Sequence, residues 1–131
     1  MFVQVYKNLH NGKYSIRAAH GKHKGLVIGH ASEIHLEDAK FKVNESGRQR
    51  VIKTGQKNVH AYVQGNLVCV TDWNERYPTQ VPTDHVNQMY DVPVTYNPYK
   101  FTSFVTRDQS CRVVHTASHV RLDDAGIHIS R

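Results

Sequence analysis

Short strand-like runs, more than any other feature, limit what this chain can fold into. Runs rich in Val, Ile, Tyr, Phe and Thr are separated by turn-forming Gly, Asn, Asp and Pro along most of the 131 residues. Such alternation is typical of half-buried strands in an antiparallel sheet. The tripeptide HNG at 10–12 predicts an opening hairpin, because Asn-Gly readily adopts positive φ. At this length we expect a single domain spanning 1–131.

Two strand regions share a pattern. LVIGHASEIHLEDAKFKV at 26–43 aligns without a gap on RVVHTASHVRLDDAGIHI at 112–129, and six of the eighteen positions are identical. The shared positions are apolar or small residues and an acidic pair, which we expect to form a turn in each copy. We therefore predict an internal pseudo-repeat with an approximate two-fold axis. Chance similarity between two amphipathic strands is the alternative.

The first copy contains several histidines and acids, yet the alignment exchanges its histidines for other residues. Strand alternation predicts that Ile34 and Leu36 face the core while Glu33 and His35 face solvent. The turn is expected at Glu37 and the acid after it. We therefore interpret this copy as one strand and turn of the structural scaffold and not as a functional site.

The best helix candidate is basic and lies at about 44–56. Asn44 or Ser46 can cap its start and Gly55 its end. Few of its residues are strongly apolar, so we expect a surface helix with a narrow buried stripe.

The predicted fold class is α+β: a mostly antiparallel β-sheet from two related β units, at about 1–43 and 94–131, with this one basic surface helix. NVHAYVQGNLVCV at 58–70 predicts a strand pair that turns around Gln64 to Asn66. Residues 71–93 hold three of the four prolines and predict a connecting loop, with one short helix at 82–90.

Positive charge is concentrated in the first half of the chain. The net charge of +6 divides into +7 for residues 1–60 and −1 for residues 61–131. A one-sided basic surface attracts phosphate backbones or acidic proteins. No segment has the length and apolarity of a membrane span or a signal peptide, so we expect a cytoplasmic protein. The two cysteines, Cys69 and Cys111, lie in apolar runs and are expected in the core.

The basic helix and its flanks form the predicted binding site for nucleic acid or another anion. Lys and Arg there suit phosphate contacts, and an aromatic ring nearby could stack on a base. The residues are Lys42, Arg48, Arg50, Lys53, Lys57, His60 and Tyr62. A merely solvated amphipathic helix is the alternative.

Catalysis is the second hypothesis. His115, His119 and Arg121 share one strand face by alternation, as a metal-independent nuclease or phosphodiesterase would need for acid, base and cation. Two H-x-S triplets, beginning at His30 and His128, are similar to those of two-histidine phosphoesterases, although they do not align under the repeat. No metal-ligand spacing appears, so we predict neither a metal nor a cofactor.

GRQRVIKTGQKNVHAYVQGNLV at 47–68 and YNPYKFTSFV at 96–105 resemble small, uncharacterised accessory proteins encoded by bacteriophages and prophages. The resemblance implies a viral accessory context and brings no functional residue with it. We predict a protein that acts by binding nucleic acid, a nucleotide-like anion or an acidic host protein. Such binding could counter a host defence. A structural virion component is the third hypothesis, and the sequence is compatible with a homo-oligomer.

Overall fold

The alternating sequence forms strands along most of the chain. The computed structural model describes residues 1–8, 12–83 and 89–130. Within these ranges lie one helix and ten strands: β1 (Phe2–Lys7), β2 (Tyr14–Ala18), β3 (Val27–Ala31), β4 (Glu33–Val43), α1 (Glu45–Thr54), β5 (Ala61–Thr71), β6 (Asn74–Glu75), β7 (Val92–Thr95), β8 (Val105–Thr106), β9 (Thr116–Asp123) and β10 (Gly126–Ile129). All pairings between these strands are antiparallel. The predicted α+β class, a mostly antiparallel sheet with one helix, is confirmed.

The strands form one sheet that curls. Their order is β6-β3-β2-β1-β5-β4-β9-β10-β7-β8. Three strands separate β2 from β9 in this order, yet the Tyr14 hydroxyl of β2 donates a hydrogen bond of 3.0 Å to the backbone oxygen of Asp123 in β9. The two halves of the sheet therefore face each other across a shared interior.

Apolar side chains line the inner face of the curl. The strand register places Phe41 opposite Val63, Val63 opposite Val5, and Val5 opposite Ile16. All four are buried in one hydrophobic cluster. Burial of such side chains, at about 1.5–3 kcal/mol each, is the main source of stability for the curled sheet.

A β-bulge interrupts β4 where the sequence predicts a turn. The register with β5 passes from Glu37 opposite Asn66 to Lys40 opposite Gln64, so two residues of β4 face one residue of β5. Asp38 in the bulge has φ 51°, and a Cβ on Gly65 would lie 2.8 Å from the Glu37 backbone oxygen. The predicted turn at this acidic pair is wrong, because the strand absorbs the extra residue and continues to Val43. The predicted strand pair around Gln64 is also wrong, since β5 runs unbroken through this site.

The second copy of the pattern does turn. Asp123 and Gly126 are paired at the tip of the β9–β10 hairpin, and Gly126 has φ 111°. Under the offset of 86, the residue equivalent to Gly126 is Lys40, for which this conformation would be strained. Glycine thus allows a tight turn in one copy, whereas the other copy continues through a bulge.

β4 and β9, the strands that carry the two copies, are direct neighbours. His35 is opposite Arg121, which is also its equivalent under the offset of 86. Ile34 faces Leu122 and Leu36 faces Val120 on either side of this pair. This register is the one expected for two equivalent strands around a local two-fold axis; the duplication itself stays a prediction.

Helix α1 begins and ends at the predicted caps. The Asn44 side-chain oxygen accepts a hydrogen bond from the Gly47 amide at 3.0 Å, and Gly55 closes the helix with φ 72° and a bond from its amide to the Val51 oxygen. A Cβ on Gly47 would lie 2.6 Å from the Cβ of His60. This close approach holds the helix against the start of β5.

Arg48 fixes α1 to the 97–101 turn. Its Nε donates to the backbone oxygens of Pro98 and Phe101, both at 2.9 Å, and its Nη1 donates to Glu45 Oε1 at 2.9 Å. The side chain is 13% exposed. Arg48 therefore contributes to the fold, and its charge is already used inside the protein.

Other predictions have mixed outcomes. β1 and β2 form the opening hairpin, although residues 9–11 lie outside the described residues, as do residues 84–88 of the predicted short helix.

Cys69 is buried, but Cys111 is exposed. The core prediction for Cys111 is wrong because this residue lies in a turn, where its amide donates to Asp108. No helix in the described ranges is long and apolar enough to span a membrane.

Replacing Arg48 by Met should destabilise the fold. The carbonyls of Pro98 and Phe101 would lose a charged donor, and we expect a loss of about 1.5–3 kcal/mol in the free energy of unfolding. Urea titration of Arg48→Met measures it. The matched control is Arg50→Met, an exposed position on the same helix, which should stay within about 0.5 kcal/mol of the wild type. Equal effects at both positions would contradict the structural role of Arg48.

Stability should decrease at alkaline pH through Tyr14. Burial, with smaller effects from Asp123 and Asp124, raises the pKa of Tyr14 from 10.0 to about 12. A folded-state pKa above the unfolded value contributes stability that is complete below pH about 10 and is lost as the pH rises to about 12.

Urea titrations of wild type and Tyr14→Phe across this pH range test the assignment. The wild type should be more stable by about 1 kcal/mol at neutral pH, and the difference should shrink as the phenol ionises. Tyr99→Phe, at a residue that is 63% exposed, is the control. A pH-independent difference between wild type and Tyr14→Phe would show that Tyr14 does not titrate in this way.

Candidate functional site

The face of the sheet opposite the core presents polar and aromatic side chains on β2, β1, β5 and β4. The register aligns Arg17, Gln4, Gln64 and Lys40 in one row across these strands. Beside this row lie two further pairs: Tyr6 opposite the buried Ser15, and Tyr62 opposite Lys42. We call these eight residues the outer face.

Arg17 lies between two tyrosines on the outer face. Its Nε donates to Gln4 Oε1 at 2.7 Å. Its guanidinium carbon lies 5.8 Å from the ring centroid of Tyr6 and 5.6 Å from that of Tyr62. Both distances are within the range of cation–π attraction. The bond to Gln4 uses one of the five N–H donors of a guanidinium, so this cation is held in place with donors to spare.

The outer face is positive. It contains Arg17, Lys40 and Lys42 and includes no acidic residue. Both lysines are exposed. Two exposed acids precede these lysines on β4: Glu37, opposite Asn66 and His119, and Asp38 in the bulge. No carboxylate lies between Lys40 and Lys42 along the strand, so phosphates could approach both lysines.

The structure divides the predicted anion-binding set. Lys42 and Tyr62 lie opposite each other on the outer face. Arg48 is used to anchor α1, as shown above. Arg50 and Lys53 are exposed on the helix.

The remaining two members, Lys57 and His60, line a groove of about 480 Å³ beside Lys7 and Pro98. His60 Nδ1 donates to the Asn58 oxygen at 2.9 Å, and its Nε2 accepts from the Tyr96 hydroxyl at 2.7 Å. Both ring nitrogens of His60 are therefore engaged within the fold. Burial raises the pKa of Tyr96, which keeps its hydroxyl a donor.

The proposed nuclease residues are only partly brought together. His119 and Arg121 share a face of β9, but His115 precedes the strand, which begins at Thr116. The expectation that all three lie on one strand is therefore wrong. Arg121 lies 2.9 Å from the Asp123 carboxylate and 5.4 Å from the centroid of the Tyr90 ring. Nuclease activity stays a prediction.

His35 belongs to a buried polar cluster. It is 6% exposed, although alternation predicts that it faces solvent. Its Nδ1 bonds to the Tyr90 hydroxyl at 2.9 Å and its Nε2 to Glu33 at 3.0 Å. The sequence prediction is wrong because the segment around Tyr90 covers this side of β4, which the pattern of a single strand cannot show. On the neighbouring strand β5, Cys69 lies opposite His35.

The H-x-S triplets are far apart in the sheet. His30 in β3 bonds through Nδ1 to Ser15 Oγ at 3.1 Å, whereas His128 lies in β10, and five strands separate β3 from β10 in the sheet order. Among the described residues, no three His, Cys, Asp or Glu side chains are grouped so that they could hold a metal.

Sequence reasoning missed six of the eight outer-face residues, namely Gln4, Tyr6, Ser15, Arg17, Lys40 and Gln64. The alternation in FVQVYK does place Gln4 and Tyr6 on one side of β1. The pairing of β1 with β5, which joins strands about sixty residues apart in the chain, is needed to bring the others beside them.

Comparison with known proteins identifies the family. No solved structure matches the chain. The sequence is 34% identical over 131 residues to the Gene 82 protein of Mycobacterium phage L5, a match that covers 95% of this chain and 92% of that protein. Residues 1–130 match the family described as Mycobacterium phage L5 gene 82 protein. The chain therefore belongs to the family of the gene 82 protein of Mycobacterium phage L5, as its resemblance to small phage-encoded accessory proteins predicted.

Proposed function

We propose that this phage-type accessory protein binds single-stranded nucleic acid on its outer face. The observation that carries the proposal is Arg17, held between Tyr6 and Tyr62 on a face that also presents the exposed Lys40 and Lys42. Non-specific single-strand binding combines a cationic surface along the phosphates with aromatic rings on which bases stack. The outer face supplies both in one rigid sheet.

The half-buried tyrosines suit unpaired bases. Every base has a π-face, so stacking on Tyr62 would tolerate any sequence. Gln4 and Gln64, on the same face, add side-chain amides that can donate to and accept from bases or phosphates. The proposal therefore predicts weak sequence preference.

The fold favours single strands over duplexes. Duplex DNA is read in the major groove by an inserted helix or a β-ribbon. The helix α1 is held by Arg48 against the 97–101 turn and by Gly47 against His60, and only its remaining side faces solvent. Stacking on Tyr6 and Tyr62 requires unpaired bases, because a paired base keeps its faces inside the duplex stack. Action against a host defence, a place in the virion and a cytoplasmic location stay predictions of the sequence.

Charge reversal at Lys40 and Lys42 should weaken binding. Fluorescence anisotropy with labelled single-stranded oligonucleotides, in DNA and RNA forms, measures affinity at several salt concentrations. The slope of log affinity against log salt should decrease by about 0.7 for each phosphate contact that is lost.

The control carries the same charge change elsewhere. Lys22→Glu with Lys24→Glu alters an exposed turn and changes the net charge equally, so it should retain most of the affinity and the salt slope. Equal losses of affinity in the two double variants would show that binding depends on the total charge of the protein and not on the outer face. Wild-type protein without affinity for either oligonucleotide would overturn the proposal, and binding only to an acidic protein would assign the surface to a protein partner.

Replacing Tyr62 by Leu should also weaken binding, because Leu removes the aromatic face but keeps an apolar side chain. One stacked base contributes about 1–3 kcal/mol. Anisotropy at constant salt should show this loss without a change in the salt slope, while Tyr62→Phe should bind nearly as well as the wild type. Tyr99→Leu, at an exposed residue outside the outer face, is the control. Full affinity of Tyr62→Leu would exclude stacking at this residue.

A further inference from the structure

The curled sheet forms a half-open cavity of about 370 Å³ at one end. Its walls are largely apolar and include Val5, Val63, Val94, Phe104 and Leu122. Ligand sites commonly have such a form: an apolar interior of a few hundred Å³ with a small number of polar groups that fix orientation. A planar, mostly apolar ring system fits this description.

The cavity continues into the groove beside His60. The two share Tyr6, Lys7, Ala61 and Tyr96 in their linings. Lys7 lies at the junction, with its Nζ 4.7 Å from the centroid of the Tyr14 ring. The groove also contains Lys57, and no acidic residue lines it. An anionic group attached to a ring in the cavity would therefore meet two lysines.

The cavity itself is lined by charges of both signs: the cations Lys7 and Arg107 and the acids Asp123 and Asp124. The Asp123 carboxylate already accepts the Ala125 amide at 2.9 Å and lies 2.9 Å from Arg121 Nε. Asp124 is exposed, and its carboxylate makes no hydrogen bond to the described part of the chain. It is an acceptor available to a ligand donor.

We propose that cavity and groove together bind one nucleotide, with the base in the cavity, the phosphate at Lys7 and Lys57, and an exocyclic amino group of the base donating to Asp124. Asp124 lines only the cavity and Lys57 only the groove, and this arrangement matches a molecule with a donor at one end and an anion at the other. Adenine, cytosine and guanine carry such an amino group, whereas uracil does not. The inference extends the proposed function, because Tyr6 belongs to both the outer face and the cavity lining, and the nucleotide would be one member of the bound strand.

Isothermal titration calorimetry with AMP, CMP, GMP, UMP, adenosine and inorganic phosphate tests the inference. AMP should bind at least about tenfold more tightly than adenosine, which lacks the phosphate. It should also bind at least about tenfold more tightly than UMP, whose base lacks the exocyclic amino group. Inorganic phosphate alone should bind weakly. No binding of AMP, or equal binding of AMP and inorganic phosphate, would overturn the inference.

Two variants separate the contributions. Lys7→Glu should lower AMP affinity at least about tenfold, whereas Lys24→Glu, an exposed lysine outside both linings, should not. Asp124→Ala should bring AMP and UMP to similar affinities. Wild-type discrimination by Asp124→Ala would overturn the role of this carboxylate. Because Asp124 is exposed, its loss should leave the fold intact, which the urea titration verifies.

The two proposals fail separately. Oligonucleotide binding that depends on Tyr62 and Lys40, without mononucleotide binding, would retain the outer face and exclude the cavity. Mononucleotide binding without oligonucleotide binding would retain the cavity site and overturn the proposed function.

Discussion

The bulge at Asp38 determines which residues this protein presents to solvent. Before it, Ile34 and Leu36 face inward; after it, Phe41 faces inward and Lys40 and Lys42 face out. Side chains alternate along a strand, so an unbroken β4 would direct both lysines to the same side as Leu36. The core would then receive two charges and lose Phe41. Gly65 allows the bulge, because any Cβ there would collide with the Glu37 backbone.

Local features of this fold were accessible from sequence, whereas distant contacts were not. The caps of α1 at Asn44 and Gly55 and the two hairpins follow from the preferences of neighbouring residues. The bulge also has a local signal, since the apolar positions of IHLEDAKF change phase between Leu36 and Ala39. The role of Arg48 has no such signal, because its acceptors at Pro98 and Phe101 lie fifty or more residues away. His35 is similar, since its burial depends on Tyr90.

The same limit applies to the candidate site. A count of charges directs attention to the helix, where lysines and arginines are dense in the sequence. The sheet register instead brings together two residues from each of four strands, and Arg17 gains its position from Tyr6 and Tyr62 on two other strands. Only Lys42 and Tyr62 belong both to the predicted set and to the outer face. Charge density along the chain therefore points to the helix, whereas the sheet register points to the outer face.

The end of β1 connects the two proposed sites. Tyr6 and Lys7 are consecutive, so their side chains leave the strand on opposite faces: Tyr6 beside Arg17 on the outer face, and Lys7 above Tyr14 at the mouth of the cavity. A single-stranded ligand has a repeat of base and phosphate, and it can follow a surface that presents an aromatic ring and then a cation. The alternation of a β-strand, combined with a sheet that curls until Tyr14 meets Asp123, thus places the proposed outer surface and the proposed pocket at the same end of β1.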